Sequence, residues 1–216
     1  MDEVMRRIGE LGVVPVAVFE KEGDAVPTAE ALIRGGLPCV EVTFRTEAAE
    51  GAIREIASRC PQMLVGAGTV LTADQARRAV DAGAKFVVSP GYDEELIDVC
   101  RNWKVPVLPG CVTPTEVMRG IKDGFSVLKC FPAAQCGGPD YLRALGSAFR
   151  QVRFIPTGGI HGSNLREYLS CGCVLACGGS WMVKGSLIAA GRFDEVERLA
   201  SEAVAIVREV RDGKEI

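Results

Sequence analysis

The chain has 216 residues, of which 48% are hydrophobic and 25% charged, with a net charge of −3 at pH 7 and a pI of about 5.4. This size and composition suit one domain covering residues 1–216, and the slightly acidic balance argues against a nucleic-acid-binding surface. The N-terminus has no signal-peptide core and no apolar stretch is long enough to cross a bilayer, so we predict a cytoplasmic protein with no membrane partner.

Nine cysteines accompany a single histidine, His161. The number is odd and no secretory signal accompanies it, which favours reduced thiols that act as small apolar side chains. The tightest group consists of Cys171, Cys173 and Cys177, and it lacks the Cys-x-x-Cys spacing of structural zinc sites. We therefore predict no metal site.

Eight short apolar runs alternate with amphipathic stretches, and no linker or low-complexity segment divides the chain. Each run with the stretch that follows it has about the length of a minimal strand–helix unit. Strands are predicted at residues 13–19, 39–44, 63–68, 85–90, 105–110, 126–131, 152–157 and 174–179.

The stretches between the runs carry the signals that begin and end helices. Thr72 and Gln75 have capping-box spacing, and their helix is predicted to end at Gly83. Thr113 and Glu116 repeat the pattern around a proline at the first helical position. Further helices are predicted at residues 2–11, 24–35 and 193–211.

Eight consecutive strand–helix units in a chain of this length predict a (β/α)8 TIM barrel, with the N-terminal helix capping one end. A doubly wound α/β sheet is the alternative. Its glycine fingerprint after the first strand is missing, because the first run continues into Glu20, Lys21 and Glu22. The barrel is therefore the preferred fold.

Lys129 lies near the end of the sixth run, where a buried ammonium ion would be costly and a neutral amine could attack a carbonyl carbon. Side chains alternate between the two faces of a strand. This alternation sets Glu41 on the inner face, opposite Val40 and Val42, and sets Lys129 inside, opposite Leu128. We therefore predict that an acid and an amine project into the same barrel mouth.

Two structural interpretations compete with a catalytic one. The lysine could sit at a strand end with its head in water, or Lys129 and Glu41 could form a buried ion pair that only holds the core. Such a pair contributes little stability after desolvation, and functional residues of this fold cluster where both side chains lie, at the C-terminal strand ends.

Glycines lie at the ends of the last two predicted strands. Gly158 and Gly159 follow the seventh, whereas Gly178 and Gly179 end the eighth and Ser180 comes directly after it. Bare backbone N–H groups at these strand ends commonly form the phosphate site of a barrel enzyme. The pattern predicts a phosphate-binding rim beside the acid and the amine.

Seven motifs occur in an order that identifies a family. The chain closely resembles the 2-keto-3-deoxy-6-phosphogluconate (KDPG) and 4-hydroxy-2-oxoglutarate (KHG) aldolase family over about residues 13–181. Its members are class I aldolases, which are metal-free, form Schiff bases and are usually homotrimers. The motifs span residues 41–46, 65–71, 89–91, 108–110, 128–133, 156–160 and 178–181.

The resemblance implies a role for each matching residue, and it implies no metal or other cofactor. Lys129 matches the Schiff-base lysine and Glu41 the general acid/base. Arg45 and Thr69 match residues that hold the carboxylate end of pyruvate. The glycines of the rim and Ser180 match the phosphate-binding positions.

Further matches concern the pocket walls. Pro90 and Phe131 match wall residues, and Thr157 matches a position linked to stereochemical control at the new carbon. One departure is present: the family often has a glutamate after Phe-Pro-Ala, whereas Ala134 and Gln135 follow here. We expect it to affect the loop or the subunit interface more than the chemistry.

The implied reaction cleaves KDPG to pyruvate and D-glyceraldehyde 3-phosphate. KHG, which gives pyruvate and glyoxylate, and a galactonate-derived epimer of KDPG remain open as substrates. A metal-dependent decarboxylase is an alternative class, although the Asp-x-Lys-x-x-Asp pattern of one such group is absent around Lys129. A non-catalytic sugar-phosphate-binding barrel is another, and it would require Lys129 or Glu41 to be inert.

Overall fold

Strands and helices alternate along the chain in the computed structural model, which describes residues 2–213. Within these residues the strands are β1 (Val13–Ala17), β2 (Cys39–Thr43), β3 (Leu64–Gly68), β4 (Val87–Val88), β5 (Val107–Leu108), β6 (Val127–Cys130), β7 (Arg153–Pro156) and β8 (Cys177–Gly179). Met1 and residues 214–216, which the predicted domain includes, lie outside the described residues.

The helices fill the connections between the strands. They are α1 (Glu3–Leu11), α2 (Ala25–Arg34), α3 (Ala49–Arg59), α4 (Ala73–Asp81), α5 (Glu94–Asn102), α6 (Pro114–Lys122), α7 (Gly138–Ala148), α8 (Leu165–Leu169), α9 (Gly185–Ala189) and α10 (Phe193–Asp212). Short 3₁₀ turns precede α2 (Glu22–Asp24) and α9 (Trp181–Val183). None of the helices within residues 2–213 combines the length and hydrophobicity that a bilayer span requires.

The predicted helix starts are confirmed where the sequence has a capping box. The Thr72 hydroxyl accepts from the N–H of Gln75 at the start of α4. In α6 the Thr113 hydroxyl accepts from the N–H of Glu116, whose carboxylate accepts in return from the N–H of Thr113 at 2.7 Å. These bonds satisfy donors that the first turn of a helix leaves without partners.

The strands are parallel, but they do not form one closed sheet. Six of them form a continuous sheet in the order β5-β4-β3-β2-β1-β8, and β6 pairs with β7 in a separate two-stranded sheet. The predicted closed (β/α)8 barrel is therefore wrong. The regular pairing is an open sheet of six strands beside a pair, interrupted between β5 and β6 and between β7 and β8.

Proline explains both interruptions. β5 meets β6 at an isolated bridge between Gly110 and Lys129, and Pro109 has no N–H with which to continue the ladder to Val127. On the other side, Pro156 follows a bridge between Phe154 and Val174. A second bridge, between Thr157 and Gly178, is shifted in register by one residue.

Two apolar clusters lie on opposite faces of the strands. An outer cluster joins the strands to the helices, and Val40, Val42 and Leu128 belong to it. An inner cluster contains Met5 and Ile8 of α1, so the N-terminal helix packs across one end of the strands as predicted. The other buried members of the inner cluster are Val14, Cys39, Leu64, Phe86, Val88, Leu108, Val127, Ile155 and Ala176.

Candidate active site

The side chains of Lys129 in β6 and Glu41 in β2 form an ion pair on the same face of the strands as the inner cluster. The Lys129 Nζ lies 3.5 Å from Oε1 of Glu41, and the two side chains are only 5% and 4% exposed. They share strand parity with Val127 and Cys39 of the inner cluster, so the facing predicted from alternation is confirmed. The two groups therefore form a buried ion pair whose separation is slightly longer than the usual reach for direct proton transfer, about 2.6–3.2 Å.

The backbone of Lys129 is held from both sides. Its N–H donates to the carbonyl of Pro109 at 2.9 Å, and its carbonyl accepts from the N–H of Cys111 at 2.8 Å. These two bonds form the isolated bridge between β5 and β6. The ring of Phe131 lies 5.6 Å from Nζ, so the amine faces an aromatic surface as well as the carboxylate.

Gly68 leaves the space that the Glu41 carboxylate occupies. It ends β3, the neighbour of β2, and a Cβ added there would overlap the carboxylate of Glu41. This contact was not predicted from the sequence. The informative signal was the glycine itself, one strand away from a buried acid, because only a residue without a side chain allows this approach.

Arg45 and Thr69 lie where β2 and β3 end. The Arg45 Nε donates to the Thr69 hydroxyl at 3.3 Å, which orients an otherwise exposed guanidinium. Thr69 has a φ of 53°, an unfavourable conformation for a β-branched residue and one that clusters at functional sites. The structure thus brings together the two residues predicted to hold a carboxylate.

A cavity of about 480 Å³ lies beside Arg45, which forms part of its lining. It contains seven of the predicted site residues: Arg45, Phe131, Thr157, Gly158, Gly159, Gly179 and Ser180. Val16, Val18, Ile160, Val183, Lys184 and Gly185 complete the lining, and the sequence interpretation missed these six. Phe131 links the cavity to the amine of Lys129, because its ring faces both.

Three of the residues predicted to bind the substrate do not line this cavity. Gly178 packs against Thr157, and a Cβ there would run into the Thr157 hydroxyl. The carbonyl of Pro90 packs against Gly110. Thr69 contributes indirectly, because its hydroxyl accepts a hydrogen bond from Arg45.

The departure at Ala134 lies at the edge of the cavity. Gly158 and Gly159 have φ values of 99° and 75°, and the Gly158 carbonyl accepts from the Ala134 N–H at 3.1 Å. A Cβ at Gly159 would overlap that of Ala134. The small side chain at position 134 therefore touches the glycine rim, although we expected its effect to fall on the loop or the subunit interface.

Two buried cysteines, Cys130 and Cys111, lie next to Lys129, and their thiols compete poorly with its amine for an electrophile. Burial raises the pKa of the Cys130 thiol to about 12, and burial likewise raises the pKa of Cys111 to about 12. The reactive form of cysteine is the thiolate, which is scarce near neutral pH under these conditions. Within residues 2–213 no group of three or more His, Cys, Asp or Glu side chains is arranged to hold a metal ion.

Comparison with known proteins places this arrangement in a family. The family model for KDPG and KHG aldolase matches residues 2–199. A 2-dehydro-3-deoxy-phosphogluconate aldolase of Treponema pallidum (strain Nichols) is 47% identical over 96% of this chain and 99% of its own length. A KHG/KDPG aldolase of Escherichia coli (strain K12) is 46% identical over 89% of this chain and 90% of its own.

A solved structure gives the same answer. The KDPG aldolase of Legionella pneumophila, crystallised with pyruvate captured at low pH as a covalent carbinolamine intermediate, superposes with a TM-score of 0.90 at 38% identity. The match covers 94% of this chain and 98% of that one. The family predicted from the sequence motifs is confirmed: the chain belongs to the KDPG and KHG aldolase family.

Proposed function

We propose that this protein is a class I aldolase, a carbon–carbon lyase that cleaves KDPG to pyruvate and D-glyceraldehyde 3-phosphate through a Schiff base on Lys129. One observation carries the proposal: a buried amine lies 3.5 Å from a buried carboxylate, next to a cavity that a cationic side chain lines. A carbinolamine, as captured in the Legionella pneumophila relative, is the first adduct that an amine forms with the ketone of pyruvate.

The first half of the reaction makes an electron sink. The Lys129 amine attacks the C2 ketone to give a carbinolamine, which loses water to become an iminium ion. Glu41 then accepts the proton of the C4 hydroxyl, directly or through water. The C3–C4 bond breaks, its electron pair passes into the iminium, and the aldehyde leaves from the resulting enamine.

The second half regenerates the enzyme. Glu41 returns a proton to C3 of the enamine, which restores the iminium, and water hydrolyses the iminium to pyruvate and free Lys129. One carboxylate within reach of the amine can serve both proton transfers. A positioned acid/base of this kind contributes about 10²–10⁴ in rate.

The remaining predicted residues would bind the substrate. Arg45 suits the C1 carboxylate because its planar guanidinium can hold two oxygens at once, and Thr69 fixes its orientation. Phe131 and Pro90 would form walls around the reacting carbons, and Thr157 would contact the carbon where stereochemistry is set. Gly158, Gly159, Gly179 and Ser180, which line the cavity, would receive the phosphate with backbone N–H groups and a hydroxyl, and Gly178 would leave room for Thr157 beside them.

KHG is the second substrate that we propose. The same amine and carboxylate would cleave it to pyruvate and glyoxylate, and the Escherichia coli relative carries both substrates in its name. A homotrimeric assembly of single-domain subunits and a cytoplasmic location remain predictions of the sequence analysis. Sedimentation velocity tests the assembly.

Covalent trapping tests the proposed function. Incubation of the protein with pyruvate and borohydride should add one reduced pyruvyl group, which peptide mapping should locate on Lys129. Lys129→Ala should take up no pyruvyl group, whereas Lys122→Ala, which alters an exposed lysine in α6, should label normally. A folded wild-type protein that takes up no label would contradict the Schiff base and favour a metal-dependent or non-catalytic protein.

Glu41→Gln separates imine formation from bond cleavage. This variant should still be labelled by pyruvate and borohydride, yet its turnover of KDPG should fall by about 10²–10⁴ because the 4-hydroxyl proton has no acceptor. Measurement of kcat by coupling pyruvate release to lactate dehydrogenase gives the comparison. Unchanged turnover would remove Glu41 from the mechanism.

A further inference from the structure

Lys184 is a cation in the cavity wall that the proposed reaction has not used. It lies between the 3₁₀ turn Trp181–Val183 and α9, and it lines the 480 Å³ cavity together with Ser180 and Gly179. Its carbonyl accepts from the N–H groups of Leu187 and Ile188 at 2.9 and 3.1 Å. The backbone at this position is therefore fixed by the first turn of α9.

Within residues 2–213 the ammonium group of Lys184 is left without a partner. In the described part of the chain no hydrogen bond or ion pair satisfies its Nζ. The side chain is exposed, so water solvates it in the absence of a ligand. It differs in this from Arg45, the other cation of the lining, whose Nε is bound to Thr69.

The charge of the cavity is one-sided. Among its described lining residues two side chains are charged, Arg45 and Lys184, and both are cations. They come from separate places, because Arg45 follows β2 whereas Lys184 follows β8, and β1 lies between these strands in the sheet. Such a cavity suits a ligand with two separate anionic groups.

We infer that Lys184 binds the terminal phosphate of the substrate and so determines the preference for phosphorylated over unphosphorylated 2-keto-3-deoxy acids. This inference rests on the proposed function, which assigns Arg45 to the carboxylate at the other end of the same molecule. Backbone N–H groups of the glycine rim can also donate to an oxygen that carries no full charge. An ammonium ion adds attraction that grows with the charge of the group it meets, and phosphate carries nearly two.

Substrate kinetics on Lys184→Gln test the inference. Glutamine keeps most of the side-chain length and can still donate a hydrogen bond, but it removes the charge. We expect kcat/KM for KDPG to fall about 10- to 100-fold, mainly through KM, because a charged hydrogen bond to the phosphate is replaced by a weaker neutral one. The value for unphosphorylated 2-keto-3-deoxygluconate should change much less, so the ratio of the two should fall.

Two further variants sharpen the test. Lys184→Arg should restore most of the preference for KDPG, since it restores the charge. Lys122→Gln, which removes an exposed lysine in α6, should leave the ratio at the wild-type value. Inorganic phosphate as a competitive inhibitor gives a second readout, and its inhibition constant should rise in Lys184→Gln by a similar factor.

The outcomes distinguish this inference from the proposed function. A wild-type protein that pyruvate and borohydride fail to label would remove the function itself. A wild-type protein that is labelled, combined with a Lys184→Gln variant that keeps the wild-type substrate ratio, would overturn only the role of Lys184. An equal fall in kcat/KM for both substrates would also overturn the role of Lys184, because the effect would then not depend on the phosphate.

Discussion

Glu41 depends for its position on a residue that takes no part in the chemistry. Its carboxylate occupies space that Gly68 leaves open, and its distance from the Lys129 amine follows from that placement. Lys129 is fixed in a different way, by backbone hydrogen bonds to Pro109 and Cys111. The distance between the Glu41 carboxylate and the Lys129 amine therefore depends on the space that Gly68 leaves and on the hydrogen bonds that hold the Lys129 backbone.

Gly68→Ala should behave as a catalytic variant although it leaves every reacting group in place. The added Cβ would displace the Glu41 carboxylate, so we expect kcat to fall by about 10²-fold or more while borohydride labelling with pyruvate persists. Gly23→Ala is the matched control, because a Cβ there would meet no atom within 4 Å. Full turnover in Gly68→Ala would show that the Glu41 carboxylate does not need the space beside Gly68.

The sequence predicted the amine and the acid but not all of their surroundings. Alternation along a strand gives the direction of a side chain, which was sufficient for Lys129 and Glu41. It gives no distance between strands, so the contact between Gly68 and Glu41 could not be foreseen. Lys184 was missed because its place in the cavity depends on the path of an irregular segment after β8.

At the level of elements, helices were easier to predict than strand ends. Caps are local, and the bonds of Thr72 and Thr113 form within one turn of the residue that specifies them. The runs at 85–90 and 105–110 shrink to two residues each, Val87–Val88 and Val107–Leu108. Apolar residues report burial, whereas a ladder also needs N–H donors in register, which proline lacks.

The capping box of α6 should make stability depend on pH. Burial raises the pKa of Glu116, but the hydrogen bonds from Thr113 and Val112 outweigh it and hold that pKa below its ordinary value. A carboxyl whose pKa is lowered by folding contributes to the free energy of unfolding. This contribution is complete above the pKa of the unfolded chain, about 4.3, and is lost as pH falls through the pKa of the folded protein.

Glu116→Gln provides the comparison for this effect. The free energy of unfolding of the wild type should exceed that of the variant by about 0.5–2 kcal/mol at about pH 6, and the gap should close towards about pH 3. Urea denaturation at several pH values measures both. A gap that stays constant over this interval would show that the charge of Glu116 contributes nothing to the cap.

At the scale of the whole molecule, eight strands could be predicted but their closure could not. The alternation of strand and helix is a property of each unit, and all eight units are present among residues 2–213. Closure depends on the register between strands from distant parts of the chain. Pro109 and Pro156 interrupt that register, and neither looks unusual within its own run.

The inner cluster should respond to changes in α1, because this helix covers one end of it. Ile8 is 1% exposed and packs within the inner cluster, so Ile8→Ala should lower the free energy of unfolding by about 2–5 kcal/mol. Arg6→Ala, on the exposed face of the same helix, should lower the free energy of unfolding much less, because its ion pairs are solvated. Equal effects in urea denaturation would mean that α1 stabilises through its helicity and not its packing.

The two members of the proposed catalytic pair belong to different sheets, Glu41 to the six-stranded one and Lys129 to the two-stranded one. Proteins open locally in cooperative units, and a boundary with few ladder bonds is where such units separate. A small separation of the two sheets would therefore part donor from acceptor while every helix stays folded. We therefore expect heating to abolish turnover before the fold as a whole melts, at a temperature that depends on the bridges of Gly110 with Lys129 and of Thr157 with Gly178.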